Sequence, residues 1–396
     1  MQTTLQVPQT IIRPRMPELD TLRGAAVLLV LLFHGFYFIA GAARFHGPVR
    51  WFLLLTNVGW TGVNLFFVLS GFLITGILLD SQSHPEYYRN FYLRRALRIL
   101  PAYYAVLLLV LAVGRTDLTT RHVSWGFFGL SLVYLSNVTM LLGVPMQYAV
   151  LWSLAVEEHF YLLWPAAVRS FSRRALPWIC GCFIAGSAAL RALYYWRHCD
   201  YGAPYTWLVL DGLAWGALLA ICARGKLSAR NGMLRFGLAC TISSALLVLV
   251  LVPAGIMSSG SFVGGVFRIS LINSFFAGIV AIALAVGTGP WKTILARPTL
   301  RFFGEISYGL YLIHMLAFDI VDRFLGRWGL DVSWTSGTAA LILGRFVAGA
   351  TLSVSIAYLS RWYFEEPFLR LKEKFAAEAA PAESSLPFSF ETSAAS

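Results

Sequence analysis

Between Arg23 and His34 the chain reads GAAVLLVLLF, with no polar side chain, and apolar runs of similar character recur along its whole length. They fall near 24–41, 52–79, 99–114, 150–168, 175–196, 204–223, 233–253, 263–287, 305–325 and 337–358. Each is long enough, or nearly so, to cross a hydrocarbon core of about 30 Å. The expected fold class is all-α: a polytopic transmembrane helical bundle of about ten spans. Composition points the same way. Only 13% of the residues are charged and 58% are hydrophobic, with a mean hydropathy of +0.68, against about 25% charged in soluble domains.

The net charge of +12 does not form one patch. Basic residues sit between the apolar runs, which reads as a topology signal and as contacts to anionic lipids or ligands, not as nucleic-acid binding. With ten spans and a cytoplasmic N-terminus, most of the 31 Lys and Arg fall on the inner side, in clusters such as Arg94, Arg95, Arg98 and Arg169, Arg173, Arg174. Counting the awkward run at 122–144 as a further span would invert every later loop, so that stretch is expected to be a re-entrant or outer-surface element. Both termini are then cytoplasmic, in a multi-pass protein of a bacterial inner membrane. Residues 1–17 read as a cytosolic segment without a cleavable signal peptide, 18–374 as the membrane domain, and 375–396 as a low-complexity, disordered tail.

Five cysteines give neither a disulfide framework nor a ligand set with histidine, so no metal site is expected. Nucleophile-elbow, Walker and dinucleotide signatures are missing from the sequence.

Chemistry has to come from ionisable groups inside the spans, where they are costly and mark function. On a helix the eleven steps from Arg23 to His34 return to within about 20° of one face and about 16 Å deeper. Arg95 and Arg98, three apart in FYLRRALRILP, share a face and make a fork suited to phosphate, with Arg94 beside them. In LWSLAVEEHFYLLWP, Ser153, Glu157 and Tyr161 recur at i, i+4, i+8; Glu157 is expected to carry a proton or orient an imidazole. Ser307, Tyr311 and His314 fall on one side of ISYGLYLIH. Arg191, Asp211, Arg268 and Arg345 lie in the outer half of the bundle, where a shared polar cavity is expected to receive them. The residues expected to line that cavity are Ser153, Tyr161, Asp211, Arg345 and His314.

ELDTLRGAAVLLVLLFH, GVNLFFVLSGFLIT, FYLRRALRILPAYY, LWSLAVEEHFYLLWP, ISYGLYLIH and FEEPFLRLKEK occur in the order seen in the acyltransferase-3 family, which the chain resembles over about 18–372. These integral-membrane O-acyltransferases decorate lipopolysaccharide, peptidoglycan, exopolysaccharides, Nod factors and some macrolides. The resemblance implies ten transmembrane helices, a cytosolic acyl-CoA co-substrate with no bound cofactor, and an acceptor hydroxyl met at the outer face. It assigns the essential pair to Arg23 and His34, donor handling to Arg95 and Arg98, and the acid of the W-S-L element to Glu157. The SGNH hydrolase-like domain of some relatives is absent from the sequence.

The expected activity is transfer of an acyl group, acetyl first, to a carbohydrate or glycolipid hydroxyl. His34 acts as general base or as an acyl-imidazole relay, and Arg94, Arg95 and Arg98 hold the CoA phosphates. A macrolide or other small-molecule acceptor is the nearest alternative. From other classes come a proton-coupled transporter using the same His and Glu, and a lipid-linked-sugar flippase or polymerase accessory factor.

Overall fold

The computed structural model describes residues 12–13, 16–37, 45–119, 122–199, 202–258, 260–286, 297–330 and 338–371. The expected tail at 375–396 and most of the segment 1–17 lie outside them. Among the described residues every regular element is helical and none is a strand.

Helix α1 (Pro17–Leu32) starts on a proline, with Glu18 and Asp20 in its first turn, where acids complement the helix dipole. It leaves α geometry at a π-helical turn, Phe33–Tyr37, which carries His34. Next comes α2 (Gly47–Thr56), which runs through a 3-10 turn, Asn57–Thr61, straight into α3 (Gly62–Asp80). The order continues with α4 (Tyr87–Val113), the short α5 (Trp125–Leu132), α6 (Leu151–Ser170), α7 (Leu176–Trp196) and α8 (Asp211–Ala223). Then follow α9 (Arg230–Leu251), α10 (Phe262–Ala285), α11 (Pro298–Glu305), α12 (Ser307–Arg327) and α13 (Ala339–Leu359), the last extended by a π-helical turn, Ser360–Glu365.

Seven helical stretches among the described residues are long and apolar enough to cross a membrane. The expected count of about ten is not reached on that criterion. The remaining three expected spans are helices too, α6, α8 and α12. Helix α8 has only 13 residues, while α6 carries Glu157, Glu158 and Arg169, and α12 carries Asp319, Asp322 and Arg323. Hydropathy thus fails where polar groups concentrate. The stretch 122–144 holds only α5 and a 3-10 turn, Thr139–Leu142, too short to span. Tyr103 and Tyr104 of α4 donate to its Ser131 and Leu132 carbonyls at 2.7 and 3.0 Å.

Helix α3 is the centre of the bundle and α9 its periphery. Both have a hydropathy of 2.1, yet 72% of the α2–α3 window is buried against 11% of α9. Lipid supplies no hydrophobic drive between helices, so close backbone approach and hydrogen bonds hold them. At the α3–α8 crossing, a Cβ on Gly71 would lie 2.0 Å from Leu213 O, and one on Gly216 2.0 Å from Val68 O. Aromatic hydroxyls and an indole then staple the helices. Tyr92 of α4 donates to Leu162 O of α6 (2.8 Å), Tyr308 of α12 to Ile99 O of α4 (2.9 Å), and Trp164 Nε1 of α6 to Thr75 Oγ1 of α3 (2.8 Å). These contacts, with the close approach of Gly62 of α3 to Ala26 O of α1, bring α1, α3, α4, α6 and α12 around one polar interior.

Candidate active site

Two cavities meet inside this bundle. The smaller, of about 80 Å³, is lined by Arg23 of α1, Ser70 of α3, Arg95 and Arg98 of α4, Ser153 and Glu157 of α6, and Ser307, Tyr308 and Tyr311 of α12. Three guanidinium groups face one carboxylate here, so the space is positive and suits an anion or a developing oxyanion. Glu157 is held at both oxygens: Ser70 Oγ donates to Oε1 at 2.8 Å and Tyr161 OH to Oε2 at 2.9 Å. Arg95 lies over the Tyr161 ring, 4.0 Å from its centroid. The i, i+4, i+8 stripe thus acts as a unit, with Ser153 and Glu157 on the wall and Tyr161 bracing the acid. Glu158 and Arg94 are not on this wall. A space of about 80 Å³ admits a group of a few atoms and is too small for a nucleotide.

The larger cavity, of about 630 Å³, is lined by His34, Asn57, Trp60, Asn64, Trp152, Arg268 and Tyr311 among others. Such a volume is ordinary for a small-ligand site. His34 sits on the π-helical turn, a distortion often found where a helix presents a functional side chain. Its Nδ1 lies 3.1 Å from Val30 O and 3.2 Å from His314 Nε2. His314 Nδ1 in turn faces two carbonyl oxygens, Tyr311 O at 2.8 Å and Leu310 O at 3.2 Å.

Carbonyls only accept, so His314 carries its proton on Nδ1, and a second proton would charge a buried ring. His314 Nε2 is then an acceptor, and His34 donates to it through Nδ1–H. The partners thereby fix the tautomer and leave Nε2 as the basic nitrogen of His34. The orienting partner of His34 is His314 rather than Glu157, whose bonds are to Ser70 and Tyr161.

Val63, Phe67 and Tyr311 line both cavities and form the partition between them. Tyr311 OH shares a 2.6 Å hydrogen bond with Ser153 Oγ, which ties the partition to α6. Arg23 and His34 therefore face different spaces.

Four of the five residues expected on the wall of the polar cavity line neither space: Tyr161 braces Glu157 from behind, His314 backs His34, and Asp211 and Arg345 are taken up in ion pairs. Asp211 is wholly buried in an ion pair with Arg191 at 3.0 Å, and Ser270 donates to the same carboxylate oxygen at 2.6 Å. Arg345, 2% exposed, pairs with Asp322 at 2.5 Å and donates to Gly35 O at 2.8 Å. Each charge found a partner from another helix, and the pair closed before any ligand was needed. Arg345 still matters to the site, because Gly35 is the neighbour of His34 and its carbonyl is pinned. Of the outer-half charges, Arg268 is the one that reaches the histidine cavity. Ser70, Trp60 and the partition residues Val63 and Phe67 carry no chemical signature in the sequence. An isolated hydroxyl in the apolar VLSGF run is the only hint for Ser70.

A family model described as an acyltransferase domain, Acyl_transf_3, matches residues 16–361. The chain is 31% identical over 323 residues to the putative peptidoglycan O-acetyltransferase YrhL of Bacillus subtilis, covering 76% of this chain and 48% of that protein. It is 28% identical over 331 residues to the peptidoglycan O-acetyltransferase OatA of Listeria monocytogenes, covering 76% and 49%. A putative O-acetyltransferase of Staphylococcus aureus is 26% identical over 385 residues, covering 89% and 57%. The chain spans about half the length of the first two relatives. No solved structure matches it. With the arginine cavity, the paired histidines and the matched family model together, the chain belongs to the acyltransferase-3 family.

Proposed function

We propose that this chain is a membrane-embedded O-acyltransferase that moves an acetyl group from acetyl-CoA to a hydroxyl of a cell-surface glycan. The observation that carries the reading is the partition: an arginine-lined cavity and a histidine-lined cavity separated only by Val63, Phe67 and Tyr311. A reaction whose donor and acceptor come from opposite faces of a membrane needs two such spaces meeting at one wall. The arginine cavity faces the cytosol in this reading, where CoA is found, consistent with the basic clusters along that side. A glycan acceptor is supported by the names of the relatives from Bacillus and Listeria, both given as acting on peptidoglycan.

The CoA nucleotide stays outside the arginine cavity at the cytosolic mouth, the pantetheine arm passes Arg95 and Arg98, and the thioester meets the acceptor where the partition of Val63, Phe67 and Tyr311 gives way, beside Arg23. The acceptor hydroxyl lies against His34 Nε2. As its oxygen attacks the thioester carbonyl, Nε2 takes the hydroxyl proton, and the imidazolium is stabilised by the Nδ1–H bond to His314. The carbon–sulfur bond breaks, and CoA leaves as a thiolate that takes up the proton from His34. Arg23 assists by stabilising charge on the carbonyl oxygen. Glu157 offsets the mutual repulsion of the arginines.

Purified protein in lipid nanodiscs, given labelled acetyl-CoA and peptidoglycan-derived glycans, should release CoA and label the glycan in equal amounts. His34→Ala should abolish both while leaving the folded protein intact. Solute movement without CoA release would instead favour a transporter, and normal activity of the alanine variant would remove His34 from the chemistry.

A further inference from the structure

The histidine cavity continues sideways. Asn57, Trp60 and Arg268, which line it, also line a second space of about 540 Å³. This groove forms where α9 and α10 meet the 3-10 turn Asn57–Thr61, and the rest of its wall is mostly hydrocarbon, including Val248, Leu249, Val252, Leu271 and Phe275. Leu249 and Val252 are 69% and 53% exposed, and α9 is the least buried of the spans. The groove therefore opens laterally, on the side that meets lipid tails. No Asp or Glu is among the described residues lining either space. The cation common to both is Arg268, whose guanidinium carbon lies 5.5 Å from the Trp60 ring centroid.

The order of environments along this path is apolar groove, guanidinium, then a roomy, aromatic-rich cavity that carries Asn64 and Tyr311 and ends at a basic imidazole. A ligand that matches all three has a long hydrocarbon chain, an anion that fits an arginine fork, and a hydroxyl-bearing head. A free glycan would leave the apolar groove unused. An ordinary membrane lipid would fill the groove but bring no sugar to His34. We propose that the acceptor arrives on a lipid phosphate. Its chain lies in the α9–α10 groove, its phosphate on Arg268, and its sugar in the histidine cavity with a hydroxyl at His34. This rests on the acyl-transfer reading and narrows its acceptor from a glycan to a membrane-anchored glycosyl phosphate.

Two readouts test it on the full chain in nanodiscs. The first is photolabelling with a diazirine-bearing farnesyl phosphate. Labelling should saturate, yield to unlabelled farnesyl phosphate, and resist farnesol and inorganic phosphate. Arg268→Gln should weaken it about tenfold or more, the scale of a lost charge-assisted contact. Ala245→Phe, at an exposed site on the groove wall, should weaken it as well. The second readout compares acetylation of one amino sugar carried either on farnesyl phosphate or as a methyl glycoside. The lipid phosphate form should be preferred, and both substitutions should shrink that preference.

Labelling by the farnesol analogue that equals labelling by the phosphate means bulk lipid occupies the groove, and overturns the proposal. Equal acetylation of the two sugars, in wild type and variants alike, overturns it too while leaving acyl transfer standing. Saturable, phosphate-dependent labelling without CoA release from any acceptor has the opposite meaning: the lipid-phosphate site stands and the transferase reading falls.

Discussion

His314→Phe should slow acetyl transfer without weakening the binding of either substrate. The ring is 1% exposed and bonded only inside the protein, and phenylalanine fills a similar shape without a nitrogen. In the ground state His34 loses one acceptor but keeps Val30 O at 3.1 Å, so the ring is not cast adrift. The loss grows in the transition state, when His34 becomes an imidazolium and its Nδ1–H bond to His314 becomes charge-assisted. A hydrogen bond to a charged group is worth about 1.5–3 kcal/mol, or about 10- to 150-fold in rate. Because the term appears only as charge develops, it should fall on kcat and leave KM for acetyl-CoA and acceptor near their wild-type values.

His314→Gln separates this from a packing effect. Its Oε1 can accept from His34 Nδ1–H, so kcat should recover to within about tenfold of wild type, less than one neutral hydrogen bond's cost in geometry. The assay is initial-rate label transfer from acetyl-CoA over a matrix of both substrate concentrations, with thermal unfolding checked in parallel. A phenylalanine variant with full kcat, a rise in KM at constant kcat, or a glutamine variant as slow as phenylalanine would refute the orienting role of His314.

Arg95→Ala and Arg98→Ala should each raise KM for acetyl-CoA by about tenfold with a smaller change in kcat, whereas Arg94→Ala, off the cavity wall, should do much less. Glu157→Gln should lower activity at least about tenfold, because the amide cannot accept from both Ser70 and Tyr161 and leaves three arginines without their carboxylate; Glu158→Gln should be mild by the same steady-state assay. Gly216→Val should lower thermal stability by about 1–3 kcal/mol or more, since its Cβ would meet Val68 O at 2.0 Å. Arg191→Met should cost about 3–5 kcal/mol by stranding Asp211, and a double variant with Asp211→Leu should recover much of that in the same unfolding measurement.

Periodicity could place Arg23 and His34 on one face and about 16 Å apart along the axis. The structure uses that rise to give each its own cavity, which a single helix cannot reveal. The stripe Ser153, Glu157, Tyr161 was readable because its members share one helix. Partners that come from distant elements were not. Glu157 meets Ser70 across 87 residues of sequence, and His34 meets His314 across 280. The same limit explains Asp211 and Arg345. A charge in a span must be satisfied, but the sequence does not say whether a ligand or another helix will satisfy it. The helix count shows a related limit, since the stretches that fail on hydropathy, α6 and α12, carry the site's own residues.

Polar groups in this bundle divide by how they are satisfied, and the division separates scaffold from site. Arg191 spends four of its five N–H donors on Asp211, Ser270 and two backbone carbonyls, and it is wholly buried away from both cavities. Arg345 spends its own on Asp322 and Gly35 O. Closed pairs of this kind fix geometry at a desolvation cost that breaking either half makes worse. Arg23, Arg95, Arg98 and His34 instead border open space, where a positive field and a basic nitrogen confront whatever enters. Arg345 links the two groups. It touches neither cavity, yet it bonds the carbonyl next to His34 within the π-helical turn, so the scaffold of closed pairs reaches to the residue beside the imidazole.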